Sequence, residues 1–287
     1  MKKIILTVFL LILGVSITPA TSLAQKAAKR AITQISGDLY RFQNNFHYSV
    51  YLVTPDGVIV TDPINADAAT WLKAEIAKRF NQPIRYVIYS HDHRDHIAGG
   101  EVFANDGAVV VAHERAKGII IGENRPTAPP MVTFRRQMTL ELGGGVVELR
   151  FVGRNHSNNM IVMNFPGQRT LFAVDFIPVK SVAFRNLPDS YLPEWLRSLA
   201  MVERMDFDTL APGHGKLGTK ADVTAFKGYM RDLYTQVLAQ ARMGKSLAET
   251  KAALDLSKYQ SWGQFKNWAH LNIEGAYERI QMNRRGN

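Results

Sequence analysis

Three histidines and two aspartates fall within six residues of the segment Ser90-His91-Asp92-His93-Arg94-Asp95-His96-Ile97-Ala98-Gly99-Gly100. The chain has no cysteine, so thiolate zinc sites, disulfide frameworks and cysteine nucleophiles are excluded. Any metal site must be built from His, Asp and Glu, whose imidazoles and carboxylates zinc accepts. A lone histidine is usually a packed or surface residue, but this density is too high for a structural turn. On a loop, His91 and His93 can face one ion while Asp95 and His96 turn toward a second. Two divalent ions can share a hydroxide near neutral pH, because bound water drops to a pKa of ~7, and can polarise a carbonyl or phosphoryl oxygen under attack. Such chemistry needs no serine nucleophile, and the sequence has no Gly-x-Ser-x-Gly elbow.

The loop follows a buried strand predicted over 84–90. Pro83 separates that strand from a helix predicted over 67–80, where Ala68, Trp71, Leu72, Ile76 and Phe80 recur near helical spacing. Residues 48–53 and 58–61 read as two strands joined by Pro55-Asp56-Gly57, and an Asp-Gly pair is a strong hairpin signal. Further strands are predicted at 107–112, 146–152, 160–165 and 170–175, and helices over 191–206, 220–243 and most of 264–283. No repeat, low-complexity tract or linker interrupts 30–287, so residues 25–287 read as one domain. The mixed order of strands and helices in both halves predicts an α/β fold of two packed sheets with helices on the outside. A composition of 46% hydrophobic and 21% charged residues supports a full core and excludes disorder or coiled coil for the whole chain.

His91-x-His93-x-Asp95-His96 after a strand resembles the hallmark of the metallo-β-lactamase superfamily. Later motifs appear in the family's order: Asn155-His156-Ser157 after a strand, Phe172-Ala173-Val174-Asp175 closing the next, and Ala211-Pro212-Gly213-His214-Gly215 after a helix and a short apolar run. The resemblance implies that His91, His93 and His156 hold one metal ion, that Asp95, His96 and His214 hold the other, and that Asp175 bridges them. It implies an αββα sandwich, a metal-dependent hydrolase and two Zn2+ per chain, with Mn or Fe able to occupy the same ligands. Asp95, as a ligand beside the hydroxide, would be the catalytic carboxylate that orients it and carries its proton. Asp62 matches a family position near the metal loop and reads as an orienting partner for a ligand histidine; a cap on the turn before Pro63 is an equal reading. The segment after His156 departs from the family, which usually has Gly-His-Thr/Ser-Pro-Gly where this chain has Asn155-His156-Ser157-Asn158-Asn159. His47, outside every motif, reads as a polar residue, with pocket lining as the alternative. His113 and His270 read as structural or surface residues.

Within the superfamily, a glutathione-binding helical tail marks glyoxalase-type thioesterases, flavodiiron members carry Glu where this chain has His93, and dedicated dizinc β-lactamases usually lack Asp at the position of Asp175. Lactonases and organophosphate hydrolases keep that aspartate. The resemblance therefore favours a lactonase-like hydrolase of a lactone, ester or amide. The alternatives are a β-lactamase and, in another class, a mononuclear iron oxidoreductase on the same scaffold. Segments 42–48, 118–134 and 178–193 would form the pocket, the middle one extended because of Pro126, Pro129 and Pro130.

Lys2-Lys3, an apolar run from Ile4 to Val15 and Ser22-Leu23-Ala24 read as a signal peptide over 1–24. The apolar run is shorter than the ~20 residues of a spanning helix, so cleavage would leave a periplasmic or secreted protein without stable membrane insertion. Removing the two lysines lowers the formal charge from +10 to +8. The basic residues are scattered, which favours a solvated surface and a small-molecule substrate over nucleic acid.

Overall fold

Successive apolar side chains on a strand face opposite sides of its sheet, and here both sides are covered. Val58, Val60, Val87 and Val110 pack against one layer of helices, whereas their neighbours Ile59, Ile88 and Val111 point into the space between two sheets. Val162, Leu171 and Leu210 face a second helical layer, while Ile161, Met163, Phe172 and Ala211 meet the first sheet. Three apolar layers result, each side chain contributing about 1.5–3 kcal/mol when fully buried. The computed structural model describes residues 28–283; the signal peptide expected at 1–24 lies outside the described residues.

The first sheet holds β1 (Arg30–Ser36), β2 (Leu39–Asn44), β3 (His47–Thr54), β4 (Gly57–Thr61), β5 (Ile84–Ile88), β6 (Val109–His113) and β7 (Val132–Phe134) in that order. β1 to β4 are antiparallel neighbours, and β4 to β7 are parallel. Parallel pairs need crossovers, supplied by α1 (Ala66–Phe80), α2 (Arg94–Ile97) with α3 (Glu101–Ala104), and α4 (Glu114–Gly122). The second sheet holds β8 (Gln137–Leu142), β9 (Gly145–Phe151), β10 (Ile161–Phe165), β11 (Thr170–Phe172), β12 (Thr209–Ala211) and β13 (Gly218–Thr219). Its one parallel pair, β11 with β12, is crossed by α5 (Leu192–Glu203). The outer layer continues with α6 (Lys220–Arg242), α7 (Leu247–Ala253) and α8 (Phe265–Asn283). This is the αββα sandwich. Among the described residues no helix is long and apolar enough to cross a membrane.

Two local expectations change. The strand predicted over 170–175 ends at Phe172, because beyond that residue the chain leaves β10 and is held by the 211–213 segment instead: Ala173 N–H donates to Ala211 O at 3.0 Å and Gly213 N–H to Val174 O at 2.8 Å. Asp175 is thereby freed from the sheet. The segment 118–134 is not extended throughout, since α4 runs to Gly122 ahead of the first proline.

Candidate metal centre

The ligand-type side chains sit where strands end. His91, His93, Asp95 and His96 follow β5, His156 lies between β9 and β10, Asp175 follows β11, and His214 follows β12. The loop after β5 is fixed from both sides. Asp62, after β4, accepts from Ser90 N–H at 2.8 Å, and Ile64 N–H donates to His96 O at 2.7 Å. Ile64 holds φ at +72°, an unusual region for a β-branched residue. Gly99, φ +85°, passes within 2.3 Å (from an ideal Cβ) of Ala66 N, so only glycine lets the loop meet the start of α1. Gly213 does the same above the centre, where a Cβ would lie 2.4 Å from Val174 Cγ1 and 3.1 Å from His96 Cε1.

The side chains gather into two sets, each with one ligand-type atom per residue within 4.8 Å of all the others. One is His91, His93, His156 and Asp175; the other is His47, Asp95, His96 and His214. Asp175 reaches both. Its Oδ2 lies 3.7 Å from His91 Nε2, 3.7 Å from His156 Nε2 and 3.1 Å from His96 Nε2, and its Oδ1 lies 3.3 Å from His214 Nε2. His156 Nε2 and His93 Nδ1 face each other at 3.3 Å. The first set is more enclosed, with side-chain exposures of 0% for His91, 7% for His156 and 10% for Asp175, and 21% for His93 at the cavity side. In the second, His96 is at 0%, but His47 is at 26%, His214 at 41% and Asp95 at 57%.

A metal ion fits what these atoms lack. His91 Nε2, His96 Nε2 and Asp175 Oδ1 are buried without an aligned hydrogen-bond partner, a costly state for polar atoms unless something else satisfies them. The other ring nitrogen is engaged in two of the histidines, His91 Nδ1 meeting Ser90 Oγ at 2.8 Å and His214 Nδ1 donating to Phe46 O at 2.8 Å, whereas His96 Nδ1 has no hydrogen-bond partner among the described residues. His96 Nδ1 faces Asp62 Oδ2 at 3.8 Å.

Electrostatics set His96 apart, since burial lowers His214 in the second set as it lowers histidines of the first. Burial and the neighbouring histidines hold His91 well below its ordinary pKa, and burial brings His156 down to about 4. Burial also acts to lower His96, but Asp175, Asp62 and Asp95 outweigh it and raise the ring to about 9. Burial raises Asp62 to about 6. For Asp175 and Asp95 burial is outweighed, by His96 and other histidines in one case and by His47 in the other, so both stay below the usual carboxylate range.

The seven residues named from the motifs are all brought together, and Asp62 lies beside His96. Of the two readings of His47, the merely polar one is corrected: its Nε2 is 3.1 Å from Asp95 Oδ2, beside the second set. No spacing signal marks it, since it arrives through the turn between β2 and β3. The segment after His156 replaces the missing Pro-Gly turn with asparagine bonds. Asn155 Oδ1 accepts from His156 N–H at 2.7 Å, and Asn159 brackets Asp92, donating from Nδ2 to Oδ1 at 2.6 Å while its Oδ1 accepts from Asp92 N–H at 3.0 Å. Arg125 Nη2 donates to the other Asp92 oxygen at 3.0 Å, so Asp92 braces the metal loop. His113 is buried and structural, and His270 is exposed. A cavity of about 690 Å³ opens beside His93, bordered by Arg125, Arg154, Asn158, Asp189 and Tyr191. Segments 118–134 and 178–193 contribute to it; 42–48 does not, and instead overhangs the second set.

The metallo-beta-lactamase superfamily profile matches residues 44–214, a span that holds every residue of both sets. The chain is 25% identical over 162 residues to 2,4-dinitroanisole O-demethylase subunit alpha of Nocardioides sp. (strain JS1661), covering 55% of this chain and 49% of that protein. It is 25% identical over 206 residues to metallo-beta-lactamase type 2 of Elizabethkingia meningoseptica, covering 68% of this chain and 81% of that one. The chain thus spans about half the length of the first relative and most of the second. Among solved structures, a metallo-beta-lactamase from Pontibacter korlensis shares the fold, with a TM-score of 0.65 and 21% identity over 71% of this chain and 99% of that one. With the profile spanning both sets and the sandwich shared, the chain belongs to the metallo-β-lactamase superfamily.

Proposed function

We propose that this protein is a dinuclear metal-dependent hydrolase of a lactone, ester or amide, with zinc as the metal. The observation that carries the reading is Asp175, whose two oxygens lie 3.1–3.7 Å from histidine nitrogens of both sets. His91, His93 and His156 would hold one ion, Asp95, His96 and His214 the other, and the Asp175 carboxylate would join them. When bound, such ions supply an activated water near neutral pH and polarise the carbonyl under attack. The chain's own groups do the rest. Asp95, kept ionised and open to solvent, would orient the attacking water through its carboxylate. Asp62 steadies His96 from behind. The cavity beside His93 would receive the acyl portion; on its wall Arg125 is paired with Asp92 and Glu123, and Arg154 with Glu194, so the wall carries no unpaired charge from these two arginines. The export expected from residues 1–24 belongs to this proposal, and a mature terminus near Gln25 in protein taken from cells would support it.

A β-lactam is the second reading, favoured by the type 2 metallo-beta-lactamases among the relatives. The two separate on the leaving group: an alkoxide leaves a lactone readily, whereas a β-lactam nitrogen needs a proton or extra stabilisation. The test is a hydrolysis screen of the zinc-loaded protein against lactones, β-lactams, thioesters and phosphoesters, with elemental analysis alongside. Lactone or ester turnover should exceed β-lactam turnover by about tenfold in kcat/KM, ~1.4 kcal/mol in transition-state binding. Faster penicillin hydrolysis would reverse the order. A single bound iron without zinc would move the protein to the oxidoreductase branch.

A further inference from the structure

His47 occupies the first position of β3, more than forty residues before the histidine-rich loop, yet its Nε2 lies 3.1 Å from Asp95 Oδ2. Tetrahedral ligation at about 2.0–2.1 Å sets neighbouring donor atoms ~3.3 Å apart. Within the second set two spacings fall near that edge length, 3.1 Å for His47 with Asp95 and 3.7 Å for Asp95 with His96, and one ligand-type atom from each of the four residues lies within 4.8 Å of all the others. The His47 ring also stands edge-on to His214, with centroids 4.6 Å apart. A hydrogen bond to Asp95 alone does not require that approach.

The turn carrying His47 is stitched to the loop carrying His214. Tyr48 N–H donates to Gly213 O at 2.8 Å, and Phe46 O accepts from His214 Nδ1 at 2.8 Å. Arg41, buried on β2, donates from Nη2 to Pro212 O and Gly215 O, both at 2.9 Å, and its guanidinium lies over the Tyr48 ring at 3.7 Å. The residues on both sides of His47 are therefore bonded to Gly213 and His214, and Arg41 holds the carbonyls of Pro212 and Gly215 around them. A surface histidine would not be anchored in this way.

We infer that His47 is a fourth side chain on the metal ion of the second set, beside Asp95, His96 and His214. The inference rests on the two-ion reading above. Asp95 and His214 are open to water, which competes for the ion, and a further imidazole offsets that competition. Loss of a partner that merely orients a ligand costs roughly 10–100-fold in metal affinity, so loss of a ligand should cost at least tenfold.

The test titrates metal-stripped wild type, His47→Ala and His47→Gln with Zn2+ against a competing chelator, and separately with Co2+ followed by visible absorption. Wild type should take two ions. Both variants should bind the first with unchanged affinity, which also reports an intact fold, and the second at least tenfold more weakly, with a changed absorption for the second Co2+. Gln keeps a hydrogen-bond donor toward Asp95, so wild-type second-ion affinity in His47→Gln would reduce His47 to a hydrogen-bond partner and overturn the inference. Unchanged affinity and spectrum in His47→Ala would overturn it alone. A wild-type chain that takes up only one ion would sink the two-ion reading as well.

Discussion

The two sets of ligand-type side chains share Asp175 but differ in what surrounds them. The first is enclosed, built around the ends of β5 and β9, and burial keeps His91 and His156 neutral and ready to donate their lone pairs. The second is open, assembled by loops that meet across the sandwich, and three carboxylates surround His96. Enclosure gives rigid ligands, and openness gives access. A hydrolase needs both. The division is not complete, because the cavity of about 690 Å³ opens beside His93 of the enclosed set.

The largest way to break this comparison is to remove what the sets share. Asp175→Ala should lower kcat/KM by at least about a thousandfold, ~4 kcal/mol of transition-state stabilisation, and should reduce the metal content below that of wild type. Elemental analysis beside the kinetic assay checks both. Full metal content with nearly full activity would mean that the carboxylate joins nothing.

A smaller change should act on one set only. Asp62 is buried, accepts from Ser90 N–H through Oδ1 and faces His96 Nδ1 through Oδ2. Asp62→Asn keeps an acceptor for Ser90 but removes the negative charge behind His96. We expect second-ion affinity to fall roughly 10–100-fold while the first ion is held as before. Competition titration with a chelator reads the two steps separately, and equal weakening of both would place Asp62 in the loop's folding rather than behind His96.

The same division marks what the sequence could disclose. His91 to His96 are contiguous, so their chemistry is legible without a fold. His156, Asp175 and His214 are isolated residues that mean little by spacing, and only their order after strands, matched to a family pattern, singled them out. His47 had only its place before a strand, which left pocket lining as an alternative, because its position depends on the pairing of β2 with β3 and on bonds to residues 212–215, contacts far apart in the chain. The central strands were legible as apolar runs, buried on both faces. β1 was not, since as an edge strand it is half exposed and its burial does not alternate, and β8 went unread although Gln137–Leu142 alternates residue by residue. α4 was missed because the prolines that follow it drew the whole segment toward an extended reading.

The smallest effect concerns a histidine that belongs to neither set, and it tests whether burial alone makes a ligand. His113 is as buried as His91, but its nitrogens are satisfied by protein: Nδ1 accepts from Arg115 N–H at 3.2 Å at the start of α4, and Nε2 donates to Arg135 O at 2.9 Å. Both bonds need the neutral ring, and burial pulls its pKa below 6.5. In the unfolded chain the ring takes up a proton near pH 6.5, whereas in the folded chain it does so only at lower pH. Its contribution to stability is therefore complete above about pH 6.5 and declines as the pH falls below that value. His113→Gln should cost about 1–2 kcal/mol at pH 7.5, the scale of two lost or weakened hydrogen bonds, and the gap from wild type should narrow between pH 6.5 and 5. Urea unfolding of the metal-stripped proteins measures the gap without a contribution from bound ions, and metal content of the loaded variant should equal that of wild type. A gap that stays constant with pH would mean the ring does not change its protonation on unfolding, and a lost ion would mean that the loop before α4 reaches the centre after all.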